Sequence, residues 1–161
     1  MLLSRKSYKK IDKEILKFPK CQRQSAIISA LAIAQDELGW ISLEIIKEIA
    51  KYIHVQPIAV QEVAGFYNMF NIKRIKKYKI TICTGLSCSL NNMEKSKTYL
   101  INNINNINKI KKIFTFKKSE CMGSCGDAPI ILINNKYMYV RMYKNRLKSL
   151  IEYLNNKNFF I

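Results

Sequence analysis

The sequence predicts an α+β fold, in which a helical region is followed by a mixed region of strands and helices. Two observations support this. Between residues 25 and 64 the apolar residues recur every three or four positions, and from residue 77 onwards they alternate in short runs. A third observation is that the closely spaced cysteines all fall in the second region. We therefore expect a helical domain at residues 1–72 and a mixed domain at residues 73–161.

Three short helices are predicted in the first region, and together they suggest a small bundle. One runs from Ser25 to Leu38 and stops at Gly39, since glycine accepts the left-handed conformation of a helix end. Ser42 can cap a second helix, and Pro57 can open a third. The stripes expected to face the core are Ile28, Leu31, Ala32, Gln35 and Leu38 in the first helix, Ile45, Ile46, Ile49, Ala50 and Ile53 in the second, and Val60, Val63 and Ala64 in the third.

The second region is expected to have the order β-α-β-β-β-α, or β-α-β-β-α if the segment IFTF pairs as the second strand and the hairpin supplies the rest. Strands are predicted at residues 77–83, 112–117, 130–134 and 137–140, and helices at about 90–104 and 145–154. Asn134 and Asn135 separate the last two strands. Because asparagine tolerates a positive φ, these two residues predict a tight hairpin turn.

Length and composition predict an intracellular protein. A chain of 161 residues can bury a core without disulfides, and its longest apolar runs are shorter than the roughly 20 residues of a membrane span. The first twenty residues lack the apolar segment of a signal peptide and carry Asp12 and Glu14. In a reducing compartment, clustered cysteines more often bind metal or carry out redox chemistry than form disulfides.

The strong positive charge raises the question of nucleic-acid binding. The chain has 28 Lys and Arg against 11 Asp and Glu, a net charge of +17. The lysines are spread along the chain and accompany an excess of Ile and Asn, as at residues 101–114, which indicates biased surface composition. We expect no nucleic-acid partner, and keep such binding as the minor alternative because a field of this sign attracts polyanions at low salt.

Four cysteines form two pairs on two predicted loops. Cys83 and Cys88 follow the first strand with the spacing C-x4-C, and Cys121 and Cys125 follow the second strand with the spacing C-x3-C. Both loops are expected at the same edge of one sheet, with glycines that let the backbone bow around a metal. The four thiols are therefore candidate ligands of one metal centre.

The spacing leaves two kinds of centre open. Four thiolates without histidine suit either a tetrahedral zinc ion or an iron–sulfur cluster. The C-x4-C spacing occurs in plant-type ferredoxins, although the C-x2-C that follows it there is absent here. A dithiol oxidoreductase is disfavoured, because its C-x-x-C motif is missing.

Other conspicuous residues have simpler interpretations. His54, the one histidine, ends an apolar helical stripe and is expected to be a packing or loop residue. Cys21 lies far from both pairs and is expected to be an unpaired linker thiol. The aromatic segment 65–70, GFYNMF, is interpreted as interdomain packing, with a partner-facing patch as the alternative.

Four segments together resemble one known family. These are FPKCQRQSAIISALAIAQDELGWIS, HVQPIAVQEVAGFYNMF, ICTGLSCSL and CMGSCGDAPIILIN. Their order and spacing are similar to those of the E-type subunits of NADH:quinone oxidoreductase, respiratory complex I, in the thioredoxin-like 2Fe-2S ferredoxin family. The resemblance extends from about Asp12 to Leu154.

The resemblance implies a helical bundle followed by a thioredoxin-like domain with one 2Fe-2S cluster, bound by Cys83, Cys88, Cys121 and Cys125. It implies a flavoprotein partner that holds FMN and NADH, which this chain does not bind, and further peripheral-arm subunits of the complex. The cluster would exchange single electrons with that flavin. The chain would be cytoplasmic, held at the inner face of the cell membrane through the complex and not inserted in the bilayer. Similar subunits serve NAD-linked hydrogenases and formate dehydrogenases, and such a subunit is the alternative function for this chain, with a zinc-stapled interaction module as a weaker one.

Overall fold

The computed structural model describes residues 2–106 and 113–156, and the chain divides into two compact units. We call Met1–Ile75 the helical unit and Lys76–Ile161 the cysteine unit. The division falls slightly later than the expected 72/73 boundary because the segment after the last helix of the helical unit still bonds to that unit. The Asn71 amide donates to Gln35 Oε1 at 2.6 Å, and the Arg74 guanidinium lies 5.4 Å from the centre of the Trp40 ring.

The helical unit contains all three predicted helices. Gly39 ends the first of them with φ 79°, and the Ser42 hydroxyl accepts a hydrogen bond from the Ile45 amide at 3.4 Å, as an N-cap does. The elements are α1 (Arg5–Ile15), a 3₁₀ turn (Lys20–Ala26), α2 (Ile27–Leu38), α3 (Leu43–Ile53) and α4 (Pro57–Phe66).

Helix α1 was not predicted from the sequence. Ser4 caps it through the Ser7 amide, and Tyr8 and Ile11 bury their side chains in the helical core. Most of its remaining residues are charged, so its apolar stripe is short and the periodic signal is weak.

The predicted core face of α2 was wrong in part. The buried residues are Ile27, Ala30, Leu31 and Ala34, so Leu31 is the one member of the predicted stripe that is fully buried. Helix α2 is apolar around most of its circumference and contacts α1, α3 and α4. Periodicity alone therefore cannot select its buried face. The stripe of α3 is confirmed, as are Val60 and Ala64 of α4.

The aromatic segment 65–70 contributes to the helical core through Phe70, which is 2% exposed. Phe66, in contrast, is 79% exposed. The segment is thus partly core, which neither interpretation of it predicted.

The cysteine unit has the predicted order of strands. A short helix, α5, is added directly after the first strand. The elements are β1 (Tyr78–Cys83), α5 (Leu86–Leu90), α6 (Met93–Asn106), β2 (Phe114–Ser119), β3 (Ile131–Ile133), β4 (Tyr137–Tyr139) and α7 (Lys144–Asn156). Asn134 and Asn135 have φ 54° and 56°, which confirms the predicted turn between β3 and β4.

The sheet has the order β2-β1-β3-β4, with β1 and β2 parallel and the other pairs antiparallel. Ile80 and Ile82 of β1 share a core with Leu100 of α6 and Leu147 of α7. Strand β1 lies between β2 and β3 and is buried on both faces, although its sequence alternates. Even Lys79, which points to the face opposite Ile80, is 1% exposed.

Within the described ranges, none of the helices combines the length and the apolar character that a bilayer crossing requires.

Candidate metal centre

The two cysteine loops start at one edge of the sheet, as the sequence predicts. Strands β1 and β2 run parallel, and Cys83 at the end of β1 is in register with Ser119 at the end of β2. Cys121 follows two residues later. Cys88 lies in α5, and Cys125 opens the 3₁₀ turn Cys125–Asp127. Since parallel strands end at a common edge, the fold brings the two distant pairs into one neighbourhood.

Within this neighbourhood the thiols form two pairs of different exposure. The Cys121 and Cys125 sulfurs are 3.6 Å apart, and both residues are exposed. Cys83 and Cys88 are buried, and their thiols are hydrogen-bonded to each other. All four thiols are free. In the part of the chain that the structure describes, no three His, Cys, Asp or Glu side chains surround a common point as they would around a single bound ion.

The surroundings shift the pKa values of the thiols in opposite directions. Burial, with the neighbouring Cys83 thiol, raises the pKa of Cys88 to about 11. The Gly123 amide donates to Cys121 Sγ at 3.4 Å, and this bond, together with one from Cys125, lowers the pKa of Cys121. The Cys125 pKa is raised, chiefly by its bond to Cys121 and by the charge there. Amides that donate to sulfur are typical of protein sites that hold thiolate ligands.

Gly85 allows the two loops to approach each other. A Cβ atom at this position would lie 2.6 Å from the Glu120 carbonyl oxygen, 3.5 Å from the Cys121 Cβ and 3.6 Å from the Cys83 sulfur. The first distance is shorter than any real contact, so any larger residue would force the loops apart. The sulfur donor set and this close approach fit a centre of the predicted kind, in which thiolates from both loops bind one metal group.

Cys21 and His54 do not belong to the cysteine unit. Both belong to the helical unit, where Cys21 is exposed in the 3₁₀ turn and His54 is exposed at the end of α3 with φ 63°. The loop interpretation of His54 is therefore confirmed.

Sequence reasoning missed the polar side chains that join the two loops. The Ser87 hydroxyl bonds to the Cys125 carbonyl and the Tyr143 hydroxyl to Asn91, and both bonds connect segments that are distant in sequence. These residue types are common on any surface, and no spacing pattern connects them.

The fold and the site define a class of protein: an α/β domain that presents four cysteines on two loops at one sheet edge, preceded by a helical unit. Comparison with known proteins gives the family. The profile of the thioredoxin-like [2Fe-2S] ferredoxin family matches residues 11–155. The chain belongs to this family of binuclear iron–sulfur proteins, so the resemblance seen in the sequence is confirmed.

Curated relatives match most of the chain. NADH-quinone oxidoreductase subunit 2 of Thermus thermophilus is 32% identical over 144 residues, which are 88% of this chain and 80% of the relative. The E subunit of NADH-quinone oxidoreductase from Rickettsia felis is 32% identical over 151 residues, with 88% and 87% covered. The mitochondrial NADH dehydrogenase [ubiquinone] flavoprotein 2 of Dictyostelium discoideum is 33% identical over 92% of this chain and 62% of its own length.

A solved structure shares the fold. The NAD⁺-reducing [NiFe]-hydrogenase in its H₂-reduced state aligns with a TM-score of 0.63 and 19% identity, over 81% of this chain. This chain spans 22% of the length of that hydrogenase chain. The likeness supports the fold of both units.

Proposed function

We propose that the chain is the iron–sulfur electron-transfer subunit of the NADH dehydrogenase module of a respiratory NADH:quinone oxidoreductase. One 2Fe-2S cluster is held by Cys83, Cys88, Cys121 and Cys125. The observation that supports this most directly is the arrangement of two thiol pairs at one sheet edge in a chain of the 2Fe-2S family. Relatives named as subunits of that enzyme match over 80% or more of their own length, which supports the assignment to such a complex.

Two thiol pairs suit a binuclear cluster, because four cysteines bind its two irons. The buried pair ties the cluster to the sheet, and the exposed pair leaves one side open to an electron donor. The cluster supplies one-electron chemistry, and the protein supplies its position and its electrostatic surroundings.

The electron donor in this proposal is the FMN of a flavoprotein subunit that also binds NADH. This chain binds neither compound. It works as one of several peripheral-arm subunits, on the cytoplasmic side of the cell membrane, and is held there by the complex.

The first experiment is chemical analysis of the anaerobically purified chain. We expect two irons and two acid-labile sulfides per chain, and a rhombic EPR signal of one unpaired spin after dithionite reduction. One zinc ion without sulfide would overturn the electron-transfer function and leave a structural metal site.

A pair of variants tests the ligand assignment. Cys125→Ser should remove or destabilise the cluster while the helical unit stays folded by circular dichroism. Cys21→Ser makes the same chemical change in the helical unit and should leave iron, sulfide and spectrum unchanged. An unaltered visible spectrum in Cys125→Ser would show that Cys125 is not a ligand.

The electron donor is tested by co-purification with a flavoprotein subunit. With that subunit bound, NADH should reduce the cluster anaerobically, and the chain alone should not respond to NADH. Reduction of the isolated chain by NADH would contradict the proposal that the flavoprotein subunit, and not this chain, takes electrons from NADH.

A further inference from the structure

The loops that carry the cysteines are joined by hydrogen bonds that do not involve the thiols. We call residues 84–91 the first ligand loop and residues 120–130 the second ligand loop. The Ser87 hydroxyl, in the first, donates to the Cys125 carbonyl oxygen, in the second, at 2.8 Å. A hydrogen bond to the backbone of Cys125 restrains the position from which the Cys125 side chain extends. The contacts around Ser87 therefore affect the geometry of the site.

These contacts close into a ring. The Asn91 side-chain amide donates to the Ser87 carbonyl oxygen at 2.8 Å, which turns Asn91 Oδ1 towards Tyr143. The Tyr143 hydroxyl lies 3.1 Å from that oxygen and 3.3 Å from the Ala128 carbonyl oxygen. The Ala128 amide in turn donates to the Cys125 carbonyl oxygen at 3.4 Å. The ring therefore passes through both ligand loops and through Tyr143.

Tyr143 has a particular place in this ring, because its hydroxyl reaches both loops from a third segment. A hydroxyl carries one proton, so Tyr143 shares it between Asn91 Oδ1 of the first loop and the Ala128 carbonyl of the second. If either loop moves, the shared bond weakens on that side. The positions of the two loops are thus coupled through the hydroxyl oxygen of Tyr143.

The backbone around Tyr143 is itself fixed to the second ligand loop. The Arg141 amide donates to the Asp127 carbonyl oxygen and the Met142 amide to the Pro129 carbonyl oxygen, both at 2.8 Å. The Arg141 guanidinium also pairs with the Asp127 carboxylate, with Nη2 at 3.0 Å and Nε at 3.1 Å from Oδ1. Residues 141–143 are therefore bound to the segment that follows Cys125, and these bonds restrain the position of the Tyr143 hydroxyl.

We propose that Tyr143 is a positioning residue for the iron–sulfur site: its hydroxyl couples the two ligand loops and so maintains the spacing between Cys88 on α5 and Cys125 on the second ligand loop. This inference rests on the proposed function and deepens it. Tyr143 touches neither thiol and acts through Asn91, Ser87 and Ala128. Its loss is expected to loosen both loops together.

The test compares Tyr143→Phe with Tyr137→Phe in the anaerobically purified chain. Both variants lose one phenolic hydroxyl, and Tyr137 lies on β4 at the end of the sheet away from the cysteines. We expect Tyr143→Phe to lose its visible absorbance to an iron chelator about two to ten times faster than the wild type, the range that loss of one hydrogen bond gives. The EPR g values should shift, and Tyr137→Phe should match the wild type in both measurements.

A second measurement does not depend on the cluster. In the reduced apo-protein, amide hydrogen exchange should quicken in both ligand loops of Tyr143→Phe, by a similar two- to tenfold factor. Ser87→Ala should produce the same pattern. The double variant should show less than the product of the two single effects, because both bonds belong to one ring.

The outcomes separate the two proposals. If the wild type contains no iron and no sulfide, the proposed function fails, and the exchange measurement still decides whether Tyr143 couples the loops. If the wild type holds its cluster and Tyr143→Phe has the same chelation rate, EPR signal and exchange pattern, the positioning role of Tyr143 is wrong. Faster exchange confined to residues near 143, with the first ligand loop unchanged, would also overturn it.

Discussion

The helical unit and the cysteine unit are stabilised in different ways. In the helical unit, apolar stripes such as Ile45, Ile46 and Ile49 of α3 pack into one core, and local caps define the helix ends. In the cysteine unit, the sheet has a similar apolar core, but the cysteine edge depends on glycine clearance and on hydrogen bonds between loops. The comparison shows that periodicity indicates the core face of a clearly amphipathic helix such as α3, while a binding edge depends on contacts between distant residues.

The largest effect should come from the helical core. Ile49 is 2% exposed, and Ile49→Ala should lower the free energy of unfolding by about 2–5 kcal/mol, since it removes buried methyl groups and leaves a cavity. Urea unfolding followed by circular dichroism measures this change. Leu43, on the same helix and 59% exposed, provides the control Leu43→Ala. An equal loss in both variants would show that burial in α3 does not stabilise this unit.

Gly85→Ala tests the clearance between the ligand loops. The backbone at Gly85 has φ −62°, which alanine adopts freely. The expected loss of about 1–3 kcal/mol in the free energy of unfolding therefore arises from contact of the new Cβ with the Glu120 carbonyl. We expect iron and sulfide content to fall to less than half of the wild-type values.

Gly126 is the matched control for that variant, because a Cβ there meets no atom within 4 Å. Gly126→Ala should keep the wild-type iron content. A full cluster in Gly85→Ala would mean that the loops tolerate a wider separation than the structure indicates.

Lys79 makes the stability of the cysteine unit depend on pH. Burial, with a smaller contribution from the charge of Lys117, lowers the pKa of Lys79 to about 8. The unfolded chain, with an ordinary lysine pKa of about 10.4, then binds more protons than the folded chain between pH 8 and pH 10, so stability rises with pH in that window. Below about pH 7 the lysine is charged in both states, and stability no longer changes through it.

Between pH 7.5 and pH 9.5 the expected gain is up to about 2 kcal/mol. Urea unfolding at both pH values, in the wild type and in Lys79→Met, measures it. The difference between the two proteins isolates Lys79 from other groups that titrate there. Equal pH dependence in both proteins would contradict the lowered pKa.

The smallest effect is expected at a helix end. Ser42→Ala removes the hydroxyl that accepts from the Ile45 amide, and should cost about 1 kcal/mol of stability in the helical unit. Ser42→Asp should preserve the cap, and thus most of the stability. A loss of equal size in both variants would mean that the hydroxyl does not act as a cap.

Much of the fold could be predicted because its signals are local. Gly39, Ser42 and Pro57 mark helix ends within a few residues, and Asn134 with Asn135 marks a hairpin. Helix α1 was missed because only a short apolar stripe interrupts its charged residues. Helix α5 was missed because it spans only Leu86–Leu90.

The candidate site was predicted by residue type and order, and its geometry was not. The C-x4-C and C-x3-C pairs, together with the strand ends that precede them, indicated one common edge. For Gly85, which lets the two loops approach each other, the sequence indicated only a flexible loop. Its actual constraint is the nearby Glu120 carbonyl, which belongs to a different loop.

The sequence by itself determined the two-part α+β organisation, the helix caps, the hairpin turn and the membership of the thioredoxin-like 2Fe-2S family. Only the tertiary structure decided which face of α2 is buried, that Lys79 lies inside the sheet, and that Tyr143 meets Asn91 across 52 positions of the chain. The physical reason is the sequence separation over which each kind of interaction acts. Caps and periodic stripes depend on neighbours within one or two turns, whereas burial and inter-loop hydrogen bonds depend on which distant segments the packed core brings together.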